Sequence, residues 1–281
     1  MTDITEQRLR KLVNFDSDRA LIRDALTAAL DASDRAQLVK FFARYISWNG
    51  FFGAGVATLA GKIARARRLF IDPEEQFVPA ADRSVLVASY FFDAARDEFD
   101  DHESAERDPH RSLAQAFLKG MIAEVLPDAD AARRNEITAD PMWLTALNGA
   151  VATGYGAYRS DDLPTLFSAM GYHLGSEVLA DQEFSIIDAI LREKGKGLAE
   201  RLESSTVRIG PENHNAYIWI RIHSGTGGAA EADHFAWATK GVNLALGYVP
   251  ADVREDLARQ AERGFLAFAH DQREFFAQVD R

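Results

Sequence analysis

Apolar residues recur at intervals of three and four along most of this chain, which is the pattern of amphipathic helices. In residues 17–33, for example, Ile22, Leu26 and Ala29 fall on one side of a helix. The pattern therefore predicts an all-α protein. The predicted helices cover residues 17–33, 36–70 with a bend at Asn49 and Gly50, 82–101, 109–125, 128–137, 141–157, 163–194, 197–204, 230–247 and 250–279.

Residues 216–222 are the exception, because isoleucines alternate there with Tyr217, Trp219 and Arg221, as in a strand. The nearby segment that could pair with such a strand is 205–209, and an isolated hairpin has little stability in water. We therefore expect a helix at 216–222. Connections between the predicted helices are short, so we expect one helical domain over residues 1–281, with the first ~35 residues as a leading helical segment.

Composition narrows the range of functions. The chain of 281 residues has a net charge of −11, which argues against a nucleic-acid-binding protein because such proteins need a basic surface. It has no cysteine, which excludes disulfides, thiolate-bound zinc, iron–sulfur clusters and a cysteine nucleophile. The N-terminal sequence lacks the apolar stretch of a signal peptide, and the uncharged runs 45–61 and 141–158 are interrupted by Asn, Thr and Gly. We expect a cytoplasmic protein that does not enter the membrane.

Imidazole and carboxylate groups, which suit non-haem iron or manganese, are concentrated near residues 223–234. Glu231 and His234 are three residues apart and would project from one face of a helix. His223, in contrast, would lie about 16 Å from His234 on an unbroken helix, at 1.5 Å per residue. The glycines in 225–228 permit a break. Either the helix is broken there, or His223 is not a ligand.

A second acidic and imidazole cluster follows the helix over 82–101. Glu98 and His110 would face each other across a helix–loop–helix joint, with Asp101 or His102 in reserve as a substitute. The alternative is a solvated acidic helix end. The residues that we assign to the apolar face of this helix are Val85, Leu86, Ala88, Ser89, Phe92 and Ala95.

A third cluster lies within the helix over 163–194, where His173, Glu177 and Asp181 follow one another at four-residue spacing. Their neighbours are small and apolar, and a charged group is costly to bury there unless it is paired or bound to a metal. We favour Glu177 as a functional residue over a structural salt bridge, and His173 or Asp181 as its substitute.

These three segments resemble the haem-oxygenase-like di-iron oxidases, or iron-containing redox enzymes, of the thiaminase-like and pyrroloquinoline-quinone-synthase-like superfamily. The segment 97–118, DEFDDHESAERDPHRSLAQAFL, looks like the family's Glu-then-His element. The segment 171–184, GYHLGSEVLADQEF, is similar to its Gly-rich helix with a lone Glu, and 222–235, IHSGTGGAAEADHF, to its closing His-x3-Asp-x2-His element. In the closing element, however, seven residues separate His from the acid, and Glu replaces Asp.

The resemblance implies a haem-oxygenase-like multi-helical bundle and an enzyme in which up to two ferrous ions activate O2 and oxidise a small organic substrate in an apolar cavity. It does not identify the substrate, and it does not decide whether the protein forms a homodimer. The walls of the cavity would include Phe51, Phe52, Tyr90, Phe91 and Phe92. The metal ligands implied by the match are Glu98, His110, Glu177, His223, Glu231 and His234.

Two other classes of function stay open at this point. One is a metal-free protein of the same fold that binds a small molecule or acts as a cofactorless oxidase. The other is a helical interaction protein without catalytic activity. A polar and aromatic cavity would favour ligand binding, whereas a dry core with an exposed apolar groove would favour a protein partner.

Overall fold

A computed structural model of the protein describes residues 3–100, 108–224 and 230–281, without the side chains at 180, 181 and 230–233. Almost all of its regular structure is helical, so the predicted all-α class is confirmed. The elements are α1 (Glu6–Arg10), α2 (Phe15–Asp31), α3 (Ala36–Asn49), α4 (Phe52–Arg65), α5 (Val78–Ala81), α6 (Ser84–Phe99), α7 (His110–Val125), α8 (Ala131–Ile137), α9 (Met142–Gly154), α10 (Leu163–Lys194), α11 (Leu198–Glu203), β1 (Thr206–Ile209), β2 (Glu212–Asn215), α12 (Ile218–His223), α13 (Ala230–Gly247) and α14 (Arg254–Gln278).

Two of the long helices, α10 and α13, have the predicted bounds, whereas α4 ends at Arg65 instead of Phe70 and α14 begins at Arg254 instead of Pro250. At the start of α10, the Asp162 side chain accepts a hydrogen bond from Thr165 N, and Pro164 lies in the first turn, where its missing N–H costs nothing. The predicted bend near Asn49 is present as the boundary between α3 and α4. Two short helices, α1 and α5, were not predicted.

The segment 216–222 is mainly helical, as predicted, because α12 covers Ile218–His223. The small hairpin before it was not predicted. Strands β1 and β2 are antiparallel, and Thr206 pairs with Asn215. Gly210, in the turn, has φ +58°, which a glycine adopts without steric cost.

Helix α10 crosses α14 at a seam of glycines. A side chain at Gly171 would collide with the carbonyl of Ala261, and one at Gly264 would collide with the carbonyl of Ser168, so the two backbones are nearly in contact. His173 is two residues beyond Gly171 and therefore lies about 200° around the helix. The seam thus turns His173 away from α14.

Helix α6 buries a face that shares only Ala88 and Ala95 with the predicted one. Val85, Leu86 and Phe92 are exposed, whereas the buried residues are Ser84, Val87, Ala88, Phe91, Ala94, Ala95 and Asp97. The prediction was wrong because apolar residues occur on both sides of this helix, so their spacing alone did not identify the side that packs. The correction matters for function, since the buried stripe leads to Asp97 and Glu98.

The aromatic core lies between α3, α10 and α14. Trp48 stacks on Phe275 with ring centroids 4.8 Å apart, and Tyr45 lies against Phe184 and Trp219. None of the helices in the described ranges combines the length and the hydropathy that crossing a bilayer would require.

Candidate functional site

The acidic and imidazole side chains from the three sequence clusters meet in one cavity. The cavity has a volume of about 250 Å³ and lies among α3, α4, α6, α7, α10, α12 and α13. We call its acidic and imidazole side chains the acid–histidine cluster: Asp97, Glu98, His110, His173, Glu177, His223 and His234. The surrounding wall is largely apolar and includes Ile46, Phe52, Val56, Phe184 and Trp219.

The first half of the cluster joins α6, α7 and α12. His110 Nδ1 lies 3.5 Å from Glu98 Oε2 and 3.3 Å from His223 Nε2. His223 Nδ1 donates to the carbonyl of Trp219 at 2.7 Å, and its ring stacks on Phe184. Because Nδ1 carries the proton in that hydrogen bond, Nε2 of a neutral His223 carries a lone pair, which can accept a hydrogen bond from His110 Nδ1.

Asp97 connects the two halves of the cluster. Its Oδ2 lies 3.8 Å from His110 Nε2 and 3.5 Å from His234 Nε2, and the residue is almost fully buried. A carboxylate without solvent needs partners of opposite charge or hydrogen-bond donors. These two imidazoles, from α7 and α13, provide them.

The second half of the cluster centres on Glu177 of α10. Glu177 Oε2 lies 3.8 Å from His234 Nδ1, and Oε1 lies 3.4 Å from His173 Nδ1. The Nε2 atom of His173 is buried and has no hydrogen-bond partner in the described part of the chain. His173 thus lines the cavity and has one buried ring nitrogen that is unpaired within the described residues.

The surroundings shift the pKa values of these groups in different directions. Burial would raise the pKa of Glu98, but the nearby imidazoles, first of all His110, hold it below its ordinary value. Burial raises the pKa of Glu177 to about 7, against the opposing effect of His234. Burial lowers the pKa of His173 to about 3. At neutral pH, Glu98 is thus ionised, His173 is neutral, and Glu177 is poised between its two forms.

A glycine makes room for the cluster on the α4 side. A Cβ at Gly53 would lie 2.8 Å from Glu98 Cβ and 3.1 Å from its Oε2. The segment just before α7 is held by a contact between Asp108 Oδ2 and His214 Nδ1, which are 3.0 Å apart. Helix α7 begins at His110, and the Asp108 side chain does not cap it but pairs with His214 of β2.

Five of the six predicted ligands have described side chains, and all five line the cavity: Glu98, His110, Glu177, His223 and His234. The side chain of Glu231, the sixth, lies outside the described residues, as do Asp101, His102 and the side chain of Asp181. The geometric objection to His223 is removed, because α12 ends at His223 and α13 begins at Ala230.

Sequence reasoning missed Asp97 as a member of the cluster. It stands three residues after Ala94 on the buried stripe of α6, and the correct face of that helix would have identified it. The predicted aromatic wall is only partly right. Phe52 lines the cavity, whereas Phe51 and Phe92 are exposed.

The donor set fits a non-haem iron or manganese ion chemically. It consists of carboxylate oxygens and imidazole nitrogens without a thiolate, and the buried Nε2 of neutral His173 has no hydrogen-bond partner among the described residues. Two ligands at about 2.1 Å from one ion are about 3.0–3.5 Å apart. The separations between imidazole and carboxylate atoms in the cluster are 3.4–3.8 Å.

The arrangement nevertheless consists of pairs. Within the described ranges, no group of three or more acidic or imidazole side chains has an arrangement that could hold a metal ion. Each imidazole instead lies directly against a carboxylate or a second imidazole. Binding of a metal would therefore require these side chains to exchange contacts with one another for contacts with the ion.

Comparison with known proteins provides no relative for this chain. No family model, no curated protein and no solved structure matches it.

Proposed function

We propose that this protein is a non-haem iron oxidoreductase that activates O2 and oxidises a small organic substrate in the cavity, within a bundle of the haem-oxygenase-like type. The proposal rests on the meeting of three carboxylates and four imidazoles from α6, α7, α10, α12 and α13 in one cavity. These residues are far apart in sequence, and burying so many ionisable groups together is unfavourable unless the site has a use for them.

Two groups of side chains would hold the iron. Glu98, His110 and His223 form one, and Glu177, His234 and His173 form the other, with Asp97 between them. Bound ferrous iron would supply the electrons that reduce O2. Glu231 belongs to the ligand set implied by the resemblance and would complete the second group.

The apolar wall would keep bulk water from the reacting groups and would hold the carbon skeleton of the substrate. Phe52, Phe184 and Trp219 contribute most of the aromatic surface there. Electrostatic interactions are stronger in such a cavity than in water, so the charge of the cluster would act strongly on a polar group of the substrate.

The cavity can hold a proton before iron binds. Without a metal, Glu177, with a pKa of about 7, can carry a proton on a carboxylate oxygen near neutral pH, and iron binding would release it. Behind His173, Tyr155 Oη and Ser176 Oγ are 2.8 Å apart, and Ser176 Oγ is 3.4 Å from His173 Nδ1. Burial raises the pKa of Tyr155, so its hydroxyl stays protonated and can take part in this series of hydrogen bonds. The series would orient the His173 ring.

Anaerobic loading of the full-length protein with Fe(II) tests the proposal. After removal of excess metal, we expect one to two iron atoms per chain, and an absorbance change when O2 is admitted. Glu98→Gln and His234→Ala should each lower the iron content. Background iron in the parent protein, together with no O2-dependent absorbance, would exclude the oxidase.

A metal-free binding protein is the second candidate, and the direct imidazole–carboxylate pairs favour it. In that case the cluster would recognise a polar group of a ligand without iron. The cavity itself favours either ligand-binding function over a pure interaction protein, because it is enclosed by both aromatic and polar side chains. Equal ligand affinity with and without Fe(II) would support this second candidate.

A further inference from the structure

One arginine stands at the mouth of the cavity. Arg111 follows His110 in the first turn of α7, and its side chain lines the cavity while remaining exposed to solvent. Among the described residues that line the cavity, it is the only arginine or lysine. A guanidinium group is always charged and has five N–H donors in a planar fork, so it fits the two oxygens of an anion.

The guanidinium of Arg111 is fixed in place by the end of α3. Its Nη1 donates to the carbonyl of Ile46 at 2.7 Å. A side chain at Gly50 would collide with Nη1 and would lie 3.0 Å from Cζ. Gly50 has φ −62° and ψ −7°, which any residue adopts, so the glycine is needed here for space and not for its backbone conformation. The chain thus keeps room for this group.

The remaining donors of Arg111 have no partner in the described part of the chain. Nε and Nη2 make no hydrogen bond there, and no carboxylate forms an ion pair with the guanidinium. Several other arginines of the protein are instead paired with a carboxylate. Arg83, for example, pairs with Asp72 at 2.6 Å, and Arg273 pairs with Asp18 at 2.6 Å. An anchored cation with free donors is an organised receptor for an external anion.

The rest of the cavity restricts the anion. Its volume of about 250 Å³ equals that of roughly eight waters of bulk liquid, so the ligand must be small. Three carboxylates, Asp97, Glu98 and Glu177, line the same cavity and disfavour a second negative charge on the ligand. The cavity lining also includes buried aromatic and aliphatic side chains, among them Phe52 and Trp219. A singly charged carboxylate with a compact apolar body satisfies all three conditions.

We propose that Arg111 binds the carboxylate of the substrate, which is a small organic monocarboxylate whose apolar body extends inward along Phe52 and Trp219. The identity of this molecule as a substrate rests on the proposed oxidase function, whereas its binding does not.

Calorimetric titration of the full-length protein tests this assignment, both metal-free and loaded with redox-inert Zn(II). The probes are benzoate, benzyl alcohol, benzylamine and phenyl phosphate, which share one ring and differ in the polar group. The variants are Arg111→Gln and Arg111→Lys, with Arg133→Gln as a control. Arg133 is an exposed arginine of α8 that pairs only with Glu136 among the described residues, and its loss removes the same charge far from the cavity.

We expect benzoate to bind more tightly than the alcohol, the amine and the phosphate in at least one of the two forms. Arg111→Gln should weaken benzoate binding about ten- to a hundredfold and leave the alcohol nearly unchanged. Arg111→Lys, which keeps the charge but loses the fork, should lie between. A general loss of folding would weaken all probes alike, and the melting temperature would report it.

Equal affinity for benzoate in Arg111→Gln and the parent would overturn the assignment, as would the absence of benzoate binding in both forms. Tighter binding of phenyl phosphate would identify a phosphate site instead. If the chain binds no iron but benzoate binding still depends on Arg111, the oxidase proposal fails and the carboxylate site stands. If it binds iron but ignores benzoate, the reverse holds.

Discussion

Glu183 of α10 provides a sharp test of how this core handles a buried acid. It is fully buried, and its Oε2 accepts a hydrogen bond from the Tyr45 hydroxyl at 2.7 Å, while Gln272 Nε2 donates to Oε1. No cation pairs with it in the described residues. Burial raises its pKa from 4.5 to about 8. The folded protein therefore keeps Glu183 protonated at neutral pH.

The sign of the effect follows from proton binding. Between pH 4.5 and 8 the folded state holds a proton on Glu183 that the unfolded chain has released. The free energy of unfolding therefore falls as pH rises through this window and levels off above pH 8. At about 1.36 kcal/mol per unit, two titration curves centred at these pKa values predict a loss of about 2 kcal/mol between pH 6 and pH 8.

The perturbation is Glu183→Gln, which keeps the shape and removes the titration. With an unfolding entropy of about 2.1 cal/mol/K per residue over 281 residues, about 2 kcal/mol corresponds to about 4 °C in melting temperature. The variant should lose about 4 °C less than the parent between pH 6 and pH 8. Glu193→Gln, at an exposed position on the same helix, is the matched control and should follow the parent.

Thermal melting followed by circular dichroism at both pH values gives the comparison. Other titrating groups contribute equally to the parent and to both variants, so only the difference between variants matters. If Glu183→Gln and Glu193→Gln lose the same number of degrees, Glu183 is not protonated in the folded protein, and the buried-acid reasoning is wrong.

Three further predictions concern packing and the metal site. Gly171→Ala should destabilise the protein by about 1–3 kcal/mol, because its Cβ would press on the α14 backbone. Gly61→Ala, with open space around it in α4, should stabilise the protein by about 0.5–1 kcal/mol. Chemical denaturation measures both changes. His234→Ala should reduce the rise in melting temperature on Fe(II) addition, and the exposed His270→Ala should not; equal rises would remove His234 from the ligand set. Asp97→Asn should lower the iron content measured after anaerobic loading, and an unchanged content would leave Asp97 with a purely structural role.

The helices were predictable wherever a boundary residue accompanies the apolar periodicity. The bounds 163–194 and 230–247 agree with α10 and α13, and Asp162 caps the first of these as a sequence signal should. The face of α6 was not predictable, since Val85 and Phe92 are as apolar as the residues that are buried. Burial there is decided by the packing of α4 and α13 against α6, which involves residues distant in sequence.

The candidate site was predictable as a set of residue types but not as a set of contacts. The residues His110 and His223 are 113 positions apart, and their contact at 3.3 Å depends on the packing of α7 against α12. Of the two alternatives left open for His223, the broken helix is the one observed, because α12 ends at His223 and α13 begins at Ala230. Arg111 carried no signal in the sequence, since one arginine among many cannot be distinguished without its surroundings.

The glycine seam between α10 and α14 divides the cavity into a stiff side and a compliant side. Because the two backbones nearly touch at Gly171 and Gly264, α10 has no side-chain layer that could be compressed toward α14. His173 and Glu177 therefore behave as fixed points. A ligand somewhat too large for the cavity would be accommodated by displacement of α12 and α13, which reach the cavity as separate elements. Amide hydrogen exchange would register that difference as faster opening in α12 and α13 and unchanged protection along α10.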